Sequence, residues 1–359
     1  MTATNLIEGS FGCFGFIGLV FLLSRFLPGP VVTRTGPEGG TPVRYRLNGL
    51  LLLLLTVLAV AALAWLAPGS IAAIYRHFKS LFIAANIFSF VMLVFLFVQG
   101  RRNHDPQKRG GSQFLREFFR GSERNPQHWG VDLKMFSYRP SLLGLALMNV
   151  SFAFAQHELY GQVSARMWLY QILCLAYVAN YFQFEHGMLF TWDVIEERFG
   201  WMLVWGDYVL VPFFYSLPGW FLLRNQEPVS PAALALVVVL FAFGFWLFRG
   251  ANEQKHQFKQ NPDVSIWGKP AKTVGGKLLA SGFWGVGRKL NYTGELCMYY
   301  AWTLLCGFGS AIPYLVPFWL TVFLFHRAWR DERRCRGKYG ELWLEYCRRA
   351  RFRIVPFVY

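Results

Sequence analysis

The sequence predicts an all-α fold, a polytopic membrane helix bundle of about nine to ten transmembrane helices with a cytoplasmic C-terminal helical tail. Three observations predict this fold. First, the 359 residues are 54% hydrophobic, whereas a soluble domain is about 45–50% apolar even when glycine is counted. Second, the apolar residues form long unbroken runs, such as the leucines at 50–55, rather than the short alternating segments of a barrel. Third, basic residues concentrate between alternate runs.

Eight apolar runs follow one another along the chain. A spanning helix needs about 20 residues, so the runs 141–155 and 167–182 must extend into flanking polar residues, whereas the last run is long enough for two passes if it turns near 307–313. Residues 1–10 lack the basic start of a secretory signal, so the first run is expected to be a retained span. The runs are 11–27, 47–67, 81–98, 141–155, 167–182, 201–223, 231–249 and 296–325.

The charges of the connecting loops predict the orientation. With nine crossings, one set of loops holds thirty Lys and Arg residues and the other holds four. The positive-inside rule places the basic set, with the C-terminus, in the cytoplasm, under the inner membrane of a bacterium or the endoplasmic reticulum of a eukaryote. The net charge of +16 therefore indicates cytoplasmic loops rather than nucleic-acid binding. The basic set is 28–46, 99–139, 183–200, 250–294 and 327–359, and the other set is 68–80, 156–166 and 224–230.

Two functional regions are expected: residues 1–140 supply N-terminal transmembrane helices and a basic cytoplasmic loop, and residues 141–359 supply the catalytic transmembrane region. Metal chemistry is not expected, because carboxylate ligands do not cluster and the cysteines show no CxxC spacing. Walker A and dinucleotide-fold glycine motifs are also absent from the sequence. The cysteines are Cys13, Cys174, Cys297, Cys306, Cys335 and Cys347.

A polar string begins inside the run 167–182 with Tyr177 and Asn180 and continues to Glu185. Ionisable residues at membrane depth are costly and usually mark a functional interior. Alternatively, Tyr177 belongs to an interfacial aromatic belt. The pattern alone leaves both interpretations open.

Basic residues at helical spacing distinguish the C-terminal part. Lys255 and Lys259 are one turn apart, and Arg327, Arg330, Arg334 and Lys338 follow at intervals of three, four and four. Like charges at these spacings repel, and a phosphorylated ligand would offset that repulsion. On a neighbouring face of the same predicted tail helix, Tyr339, Trp343 and Tyr346 form an aromatic stripe. An amphipathic tail lying on anionic lipid is the alternative, and the pattern does not decide between them.

Several ordered motifs resemble those of the sterol reductase family, which includes sterol C14- and C7-reductases and the membrane part of the lamin B receptor. The likeness covers roughly residues 25–359 and is strongest to bacterial C14-reductase-type members. Its main signature is His326-Arg327-x-x-Arg330-Asp331-x-x-x-Cys335-x-x-Lys338-Tyr339-Gly340. Further matches are 249–255, 267–270, 291–294, Asn125-Pro126 with 132–134, and 191–193 ahead of 199–203.

The resemblance implies NADPH-dependent reduction of a sterol carbon–carbon double bond in sterol biosynthesis, at Δ14 first, with Δ7 and Δ24 as alternatives. An enzyme acid would protonate the alkene, and hydride from the nicotinamide would quench the carbocation. It also implies a sterol substrate and a bilayer as partners, without nucleic acid or metal. Relatives carry an N-terminal span or two that this chain is expected to lack.

The resemblance also assigns roles to individual residues. Tyr177 and Asp331 are the candidates near the acid step, and Tyr177, Asn180 and Glu185 are the candidates for substrate binding. Cofactor binding falls to Lys255, Lys259, Trp284, Arg288, Asn291, Tyr292, Glu295, Arg327, Asp331, Cys335, Lys338 and Tyr339. The chain departs from the usual pattern at Gln127 (Arg), Asn180 (Asp), Lys289 (His) and Glu295 (Asp).

Two further function classes remain open. The first is a membrane S-adenosylmethionine methyltransferase of the isoprenylcysteine type, whose C-terminal region has similar Arg, Tyr and Pro spacing. The second is a non-catalytic member that binds sterol. The Lys255–Lys259 pair and the 326–340 signature disfavour the methyltransferase, and the presence of Tyr177 and Asp331 disfavours the non-catalytic protein.

Overall fold

Helices make up most of the structure, a computed structural model that describes residues 3–34, 42–103 and 114–358. The chain divides into two units, Met1–Arg224 and Asn225–Tyr359. The predicted all-α class holds in outline, since the described strands form only four short two-stranded antiparallel ribbons. The functional division at residue 140 stays a prediction.

The first unit begins with helix α1 and ends with helix α11. Its ribbons pair β1 (Val31–Arg34) with β2 (Val43–Arg46) and β3 (Gln127–His128) with β4 (Val131–Asp132). Its helices are α1 Ala3–Phe26, α2 Gly49–Leu66, α3 Pro68–Arg76, α4 Phe78–Asn103, α5 Phe114–Arg120, α6 Leu133–Tyr160, α7 Ala165–Gln183, α8 Glu185–Met188, α9 Trp192–Ile195, α10 Trp201–Trp205 and α11 Leu217–Arg224.

The second unit is built on three long helices whose ends carry the charged residues. Its ribbons pair β5 (Ser265–Ile266) with β6 (Lys269–Pro270) and β7 (Thr273–Val274) with β8 (Leu278–Leu279). Its helices are α12 Pro231–Gln260, α13 Phe283–Val286, α14 Leu290–Leu304, the 3₁₀ turn Ile312–Tyr314, α15 Leu315–Tyr339 and α16 Glu341–Arg349.

Four helices of the described part are long and apolar enough to cross a bilayer: Thr4–Phe26, Gly49–Leu66, Phe78–Arg102 and Pro231–Gln260. Most of each apolar segment lies on the surface, as contact with lipid requires. The other helices are shorter or carry more polar residues. The count of nine to ten spans therefore stays a prediction.

Helix bounds agree with the expected extension of the short runs. The run 141–155 lies within α6, which has 28 residues and begins where Asp132 Oδ1 accepts the Met135 N–H at 2.7 Å. The run 201–223, predicted as one helix, is instead divided by a π-helix, Gly206–Phe214. Pro212 lies inside that π-helix. Because proline lacks the N–H for an α-helical hydrogen bond, it favours a local change in the backbone hydrogen-bond pattern there.

The C-terminal helices follow the prediction with one correction. The long run 296–325 does turn, because α14 ends at Leu304 and α15 begins at Leu315. The prediction of one tail helix is wrong, because Gly340 lies at φ 54° and separates α15 from α16. Tyr339 therefore lies on a different helix from Trp343 and Tyr346, although these aromatic side chains pack in one cluster with Cys335.

Three basic loops of the first unit contact one another. Within the other set of loops, the one with few basic residues, Arg76 of loop 68–80 forms an ion pair with Glu158 of loop 156–166 at 2.7 Å. The contacts among 28–46, 99–139 and 183–200 are Arg34 to the Leu189 carbonyl, Asn125 Nδ2 to Tyr45 Oη at 3.0 Å and Lys134 Nζ to the Val194 carbonyl at 2.9 Å.

Glycine lets α12 and α14 approach closely in the second unit. A Cβ at Gly294 would lie 2.5 Å from the Gly244 carbonyl oxygen and 2.5 Å from the Phe248 nitrogen. We expect Gly294→Ala to lower the free energy of unfolding by about 1–3 kcal/mol, because backbone atoms cannot move aside as a flexible side chain does. Thermal unfolding of the purified chain in detergent measures this loss.

Gly337→Ala is the matched control, because nothing lies within 4 Å of a Cβ at this position in α15. Alanine in a helix interior is favoured over glycine by roughly 0.5–1 kcal/mol, so this variant should be as stable as the parent or more so. Equal stability of the two variants would refute the close approach.

Candidate functional site

Charged side chains from α14 and α15 meet at Asp331. Lys289, the residue before α14, forms an ion pair with the Asp331 carboxylate, and Arg334 donates to the other carboxylate oxygen at 2.9 Å. The Cys335 thiol lies one turn further on, with Sγ 3.9 Å from Asp331. We call Lys255, Lys289, Tyr292, Arg327, Asp331 and Arg334 the charged cluster, because each of them acts electrostatically on at least one other member.

The ion pair fixes the protonation states at the centre of the charged cluster. Burial alone would raise the pKa of the Asp331 carboxyl, but the charge and hydrogen bond of Lys289, with Lys255 and Arg334, lower this pKa to about 2. Burial alone would lower the pKa of Lys289, yet the Asp331 carboxylate raises it. Asp331 is therefore ionised at neutral pH and cannot donate a proton in this state.

A buried tryptophan forms one wall beside the charged cluster. The Lys255 ammonium lies 4.2 Å from the centre of the Trp284 ring, a cation–π distance. Trp284 is held at both ends: its Nε1 donates to the Ala251 carbonyl at 2.7 Å, and its own carbonyl accepts the Tyr346 hydroxyl at 3.1 Å. Lys255, in the last turns of α12, thus packs against a tryptophan ring whose position is fixed by hydrogen bonds. Lys259 is exposed one turn further along α12.

Arg288 joins the C-terminal segment to the rest of the unit. Its Nε donates to Glu332 at 2.9 Å and its Nη1 donates to the Ala350 carbonyl at 2.6 Å. The side chain is buried, and Arg353 forms an ion pair with the other oxygen of Glu332 at 2.6 Å. The predicted cofactor residue Arg288 thus has a packing role in this structure.

The first turns of α14 contribute the remaining polar groups. Asn291 Nδ2 donates to Asn252 Oδ1 at 3.3 Å, while Asn291 Oδ1 is buried with no hydrogen-bond partner in the part of the chain that the structure describes. The Tyr292 phenol is affected by the charges of Lys289, Arg327, Asp331 and Glu295. Burial raises the pKa of Tyr292, against the opposite effect of Lys289 and Arg327.

Two predicted cofactor residues lie at the end of α15. Lys338 is exposed, and its ammonium lies 5.3 Å from the ring centre of Tyr339. Tyr339 packs against the buried cluster around Cys335 and Trp343. Within the described ranges, the structure records no contact of Lys338 with the charged cluster. Arg327 instead reaches Tyr292 by its charge and stacks 4.4 Å from the Phe323 ring centre.

The candidates of the first unit lie near the end of α7. Tyr177 is 5% exposed, and its hydroxyl is 3.4 Å from the Tyr181 hydroxyl. Asn180 is buried and its Oδ1 has no hydrogen-bond partner among the described residues. Lone pairs of a buried amide are costly to leave unpaired, so this position suits a ligand that carries a hydroxyl.

Glu185, also a predicted substrate residue, is held by three groups that the sequence reasoning missed. Tyr138 donates to its carboxylate, Arg139 forms an ion pair with it at 2.7 Å, and the Gly49 N–H donates at 2.8 Å. The ion pair joins the start of α6 to Glu185, the first residue of α8. Sequence spacing gave no signal for it, since Arg139 and Glu185 are far apart in the chain.

The residues of the charged cluster fit an anionic, aromatic ligand. Four of its members are lysine or arginine side chains, and the ring of Trp284 lies beside it. The unpaired Asn291 Oδ1 offers an acceptor to a ligand N–H. These features suit the phosphates and the carboxamide of NADPH. Among the described residues no group of His, Cys, Asp and Glu is suited to hold a metal ion, and the absence of a metal stays a prediction.

Comparisons with known proteins identify a family. Residues 6–359 match the model of the ergosterol biosynthesis ERG4/ERG24 family. A Delta(14)-sterol reductase of Arabidopsis thaliana is 40% identical over 93% of this chain and 92% of its own length. One from the bacterium Methylotuvimicrobium alcaliphilum is 38% identical over 94% and 80%. A 7-dehydrocholesterol reductase of Xenopus laevis is 35% identical over 97% and 78%.

Proposed function

The chain belongs to the ergosterol biosynthesis ERG4/ERG24 family, and we propose that it reduces the Δ14 double bond of a sterol with NADPH as the hydride donor. The family match confirms the resemblance inferred from the motifs, and it favours an oxidoreductase over a methyltransferase. Relatives named Delta(14)-sterol reductase support the position of the double bond. Δ7 and Δ24 are the alternatives, and a relative named 7-dehydrocholesterol reductase keeps the first of them open.

The observation that carries the proposal is the charged cluster beside the Trp284 ring. NADPH carries a pyrophosphate bridge, a 2′-phosphate on the adenosine ribose and a planar adenine base, so it needs several cations and an aromatic surface within one site. Lys255, Arg327 and Arg334 supply cations there. Lys289 is neutralised by Asp331, so its role is to position that carboxylate.

We assign the residues of the second unit to cofactor binding and orientation. A bound NADPH would supply the hydride. Lys255 and Arg327 would pair with phosphate oxygens, and Asn291 Oδ1 would accept an N–H of the ligand. Asp331, ionised and held by Lys289 and Arg334, would orient neighbouring donors rather than release a proton.

We assign the proton to Tyr177. A phenol in a buried setting can donate a proton to an alkene carbon, which leaves a carbocation on the sterol for hydride capture. The Tyr181 hydroxyl at 3.4 Å would stabilise the phenolate that remains. Asn180, near the end of α7, and Glu185, at the start of α8, would orient the substrate.

The proposed membrane topology has nine to ten spans with the C-terminus in the cytoplasm. Four apolar helices support a membrane protein. The contacts among loops 28–46, 99–139 and 183–200 support their placement on one side. The greater basic charge of these loops supports the cytoplasmic assignment.

Product analysis tests the proposed function. The purified chain is incubated with NADPH and a mixture of Δ7, Δ14 and Δ24 unsaturated sterols, and the products are identified by mass spectrometry. We expect loss of the Δ14 sterol first. Reduction of the Δ7 or Δ24 sterol alone would assign the reaction to that double bond instead, whereas consumption of none of the sterols would favour a non-catalytic sterol-binding protein. Binding titrations separate the methyltransferase, because tight binding of S-adenosylmethionine without NADPH would reject the reductase.

Arg327→Ala is expected to weaken NADPH binding roughly 10-fold or more, because a hydrogen bond to a charged group contributes about 1.5–3 kcal/mol. A fluorescence titration measures the binding constant. Arg333→Ala is the matched control: Arg333 is exposed on the same helix and its guanidinium stacks on Trp329 at 4.6 Å. Equal binding by the parent and Arg327→Ala would remove Arg327 from the site.

A further inference from the structure

A cavity of about 330 Å³ lies in the first unit, outside the candidate site described above. It is bounded by the last turn of α1, the β1–β2 ribbon, the β3–β4 turn and the start of α6. Four arginines line it against one carboxylate. The polar lining residues are Ser24, Arg25, Arg44, Arg46, Asp132 and Arg139. We call it the arginine cavity.

Three of the arginines are oriented by backbone carbonyls. Arg25 Nε donates to the Trp129 carbonyl at 2.9 Å, Arg46 Nη1 donates to the Leu27 carbonyl at 3.1 Å, and Arg139 Nη2 donates to the Arg46 carbonyl at 2.6 Å. Each guanidinium has five N–H donors. Arg25 and Arg46 therefore keep most of their donors for another partner, in an orientation that the backbone already fixes.

Two further side chains have no recorded partner. The Arg44 side chain lines the arginine cavity and forms no hydrogen bond or ion pair with any residue in the described ranges. Ser24 is 2% exposed, and its Oγ has no hydrogen-bond partner there either. A buried hydroxyl without a partner is costly, and an anion with several acceptor oxygens would satisfy it together with the guanidinium groups.

The single lining carboxylate is already satisfied. Asp132 Oδ1 accepts the Met135 N–H at 2.7 Å, and Oδ2 accepts from Gln127 Nε2 at 3.1 Å. Arg139 is neutralised by Glu185. The charge that remains for a ligand thus comes from Arg25, Arg44 and Arg46, which favours an anion over a cation or a neutral molecule.

The location favours a ligand at the membrane surface. Ser24 and Arg25 lie in the last turn of a candidate spanning helix, Thr4–Phe26. Arginine at the end of a spanning helix meets the phosphate layer of the bilayer. We propose that the arginine cavity binds a phosphate group with net negative charge, as presented by an anionic lipid headgroup or by a soluble phosphate, and that it discriminates against a zwitterionic headgroup.

Binding is tested with the full chain in detergent, by thermal unfolding during titration with short-chain phosphatidic acid, with inorganic phosphate, or with phosphatidylcholine. A ligand that binds the folded state raises the unfolding temperature. A shift with phosphatidic acid alone assigns the site to a lipid headgroup, and shifts with both phosphatidic acid and inorganic phosphate assign it to the phosphate group itself. Equal shifts with phosphatidylcholine and phosphatidic acid would overturn the proposal.

Arg44→Gln should weaken phosphatidic acid binding at least about tenfold, as expected for loss of a charged donor. Arg44 is exposed and makes no described polar contact, so the variant should fold. Ser24→Ala is a second variant, expected to weaken binding severalfold. Arg102→Gln is the matched control, because Arg102 is exposed at the end of another candidate span, Phe78–Arg102. Equal loss in Arg44→Gln and Arg102→Gln would show general charge attraction and overturn the site.

Discussion

Replacing Tyr177 with phenylalanine is expected to slow sterol reduction by about 10²- to 10⁴-fold, the usual contribution of a positioned general acid. The change removes one hydroxyl from a buried ring, so the helix and its packing should persist. NADPH binding should be unchanged, because the proposed cofactor residues lie in the second unit. Steady-state turnover with a Δ14 sterol, together with an NADPH titration, measures both quantities.

Tyr181→Phe is the matched control for Tyr177→Phe. Its hydroxyl lies 3.4 Å from that of Tyr177, so it should affect the acid indirectly and slow turnover by a smaller factor. The pH dependence of turnover should change in this control, since the partner of the proposed acid is lost. Parental turnover in Tyr177→Phe would reject Tyr177 as the proton donor.

Asp331→Asn is expected to lower the free energy of unfolding by about 3–5 kcal/mol, because it leaves the Lys289 ammonium buried without its counter-charge. The two side chains are only 10% and 8% exposed. Thermal unfolding in detergent should show a decrease of roughly 4–7 °C. Asp263→Asn, at an exposed position after α12, is the control and should change stability little.

The same ion pair predicts a pH window for stability. The pKa of Asp331 falls from 3.8 to about 2 in the folded protein, so its contribution, about 2 kcal/mol, is complete above pH 4 and is lost as the pH falls through 2. The pKa of Lys289 is raised above its unfolded-state value of 10.5. The stability that Lys289 contributes is therefore complete below pH 10.5 and is lost as the pH rises through the raised pKa of the folded protein. Asp331→Asn should lose both dependences.

A double variant separates stability from binding. Lys289→Met with Asp331→Leu replaces the buried pair by apolar groups of similar size, which should recover most of the stability lost in Asp331→Asn. Cofactor binding should remain weak, because the oriented carboxylate is absent. Full recovery of both properties would show that the pair has no role in the site.

Much of the fold could be predicted from apolar run lengths. The bilayer thickness required the run 141–155 to extend, and α6 does extend to 28 residues. The helix before the basic segment continues through Lys255 to Gln260, as the i, i+4 spacing of Lys255 and Lys259 indicates. These features depend on the local sequence, so each can be predicted from a single segment without knowing how the segments pack.

Local backbone changes were predicted less well. The spacing of Tyr339, Trp343 and Tyr346 fits one helix, yet Gly340 ends it. A glycine directly after a basic last turn is a common helix stop, and this signal outweighs the aromatic periodicity. The π-helix around Pro212 has no comparably simple signal, since a proline within an apolar run also fits a kinked α-helix.

The residue roles at the candidate site came from motif resemblance, because pairings between distant residues cannot be read from spacing. Lys289 and Asp331 are 42 residues apart, and their ion pair depends on how α14 and α15 pack. Arg288 illustrates the same limit: its partners, Glu332 and the Ala350 carbonyl, lie on the C-terminal segment. The sequence indicated a cationic region, and the structure distinguished Lys289 and Arg334, which pair with Asp331, from Lys255, which lies against the Trp284 ring.

Transfer of an isotopic label tests the central claim most directly. The purified chain is supplied with a Δ14 sterol and with NADPH that carries deuterium at the transferable position of the nicotinamide ring. The account predicts a saturated product that contains one deuterium, with one NADPH oxidised for each sterol reduced. A saturated product without deuterium, or oxidation of NADPH without sterol reduction, would contradict it.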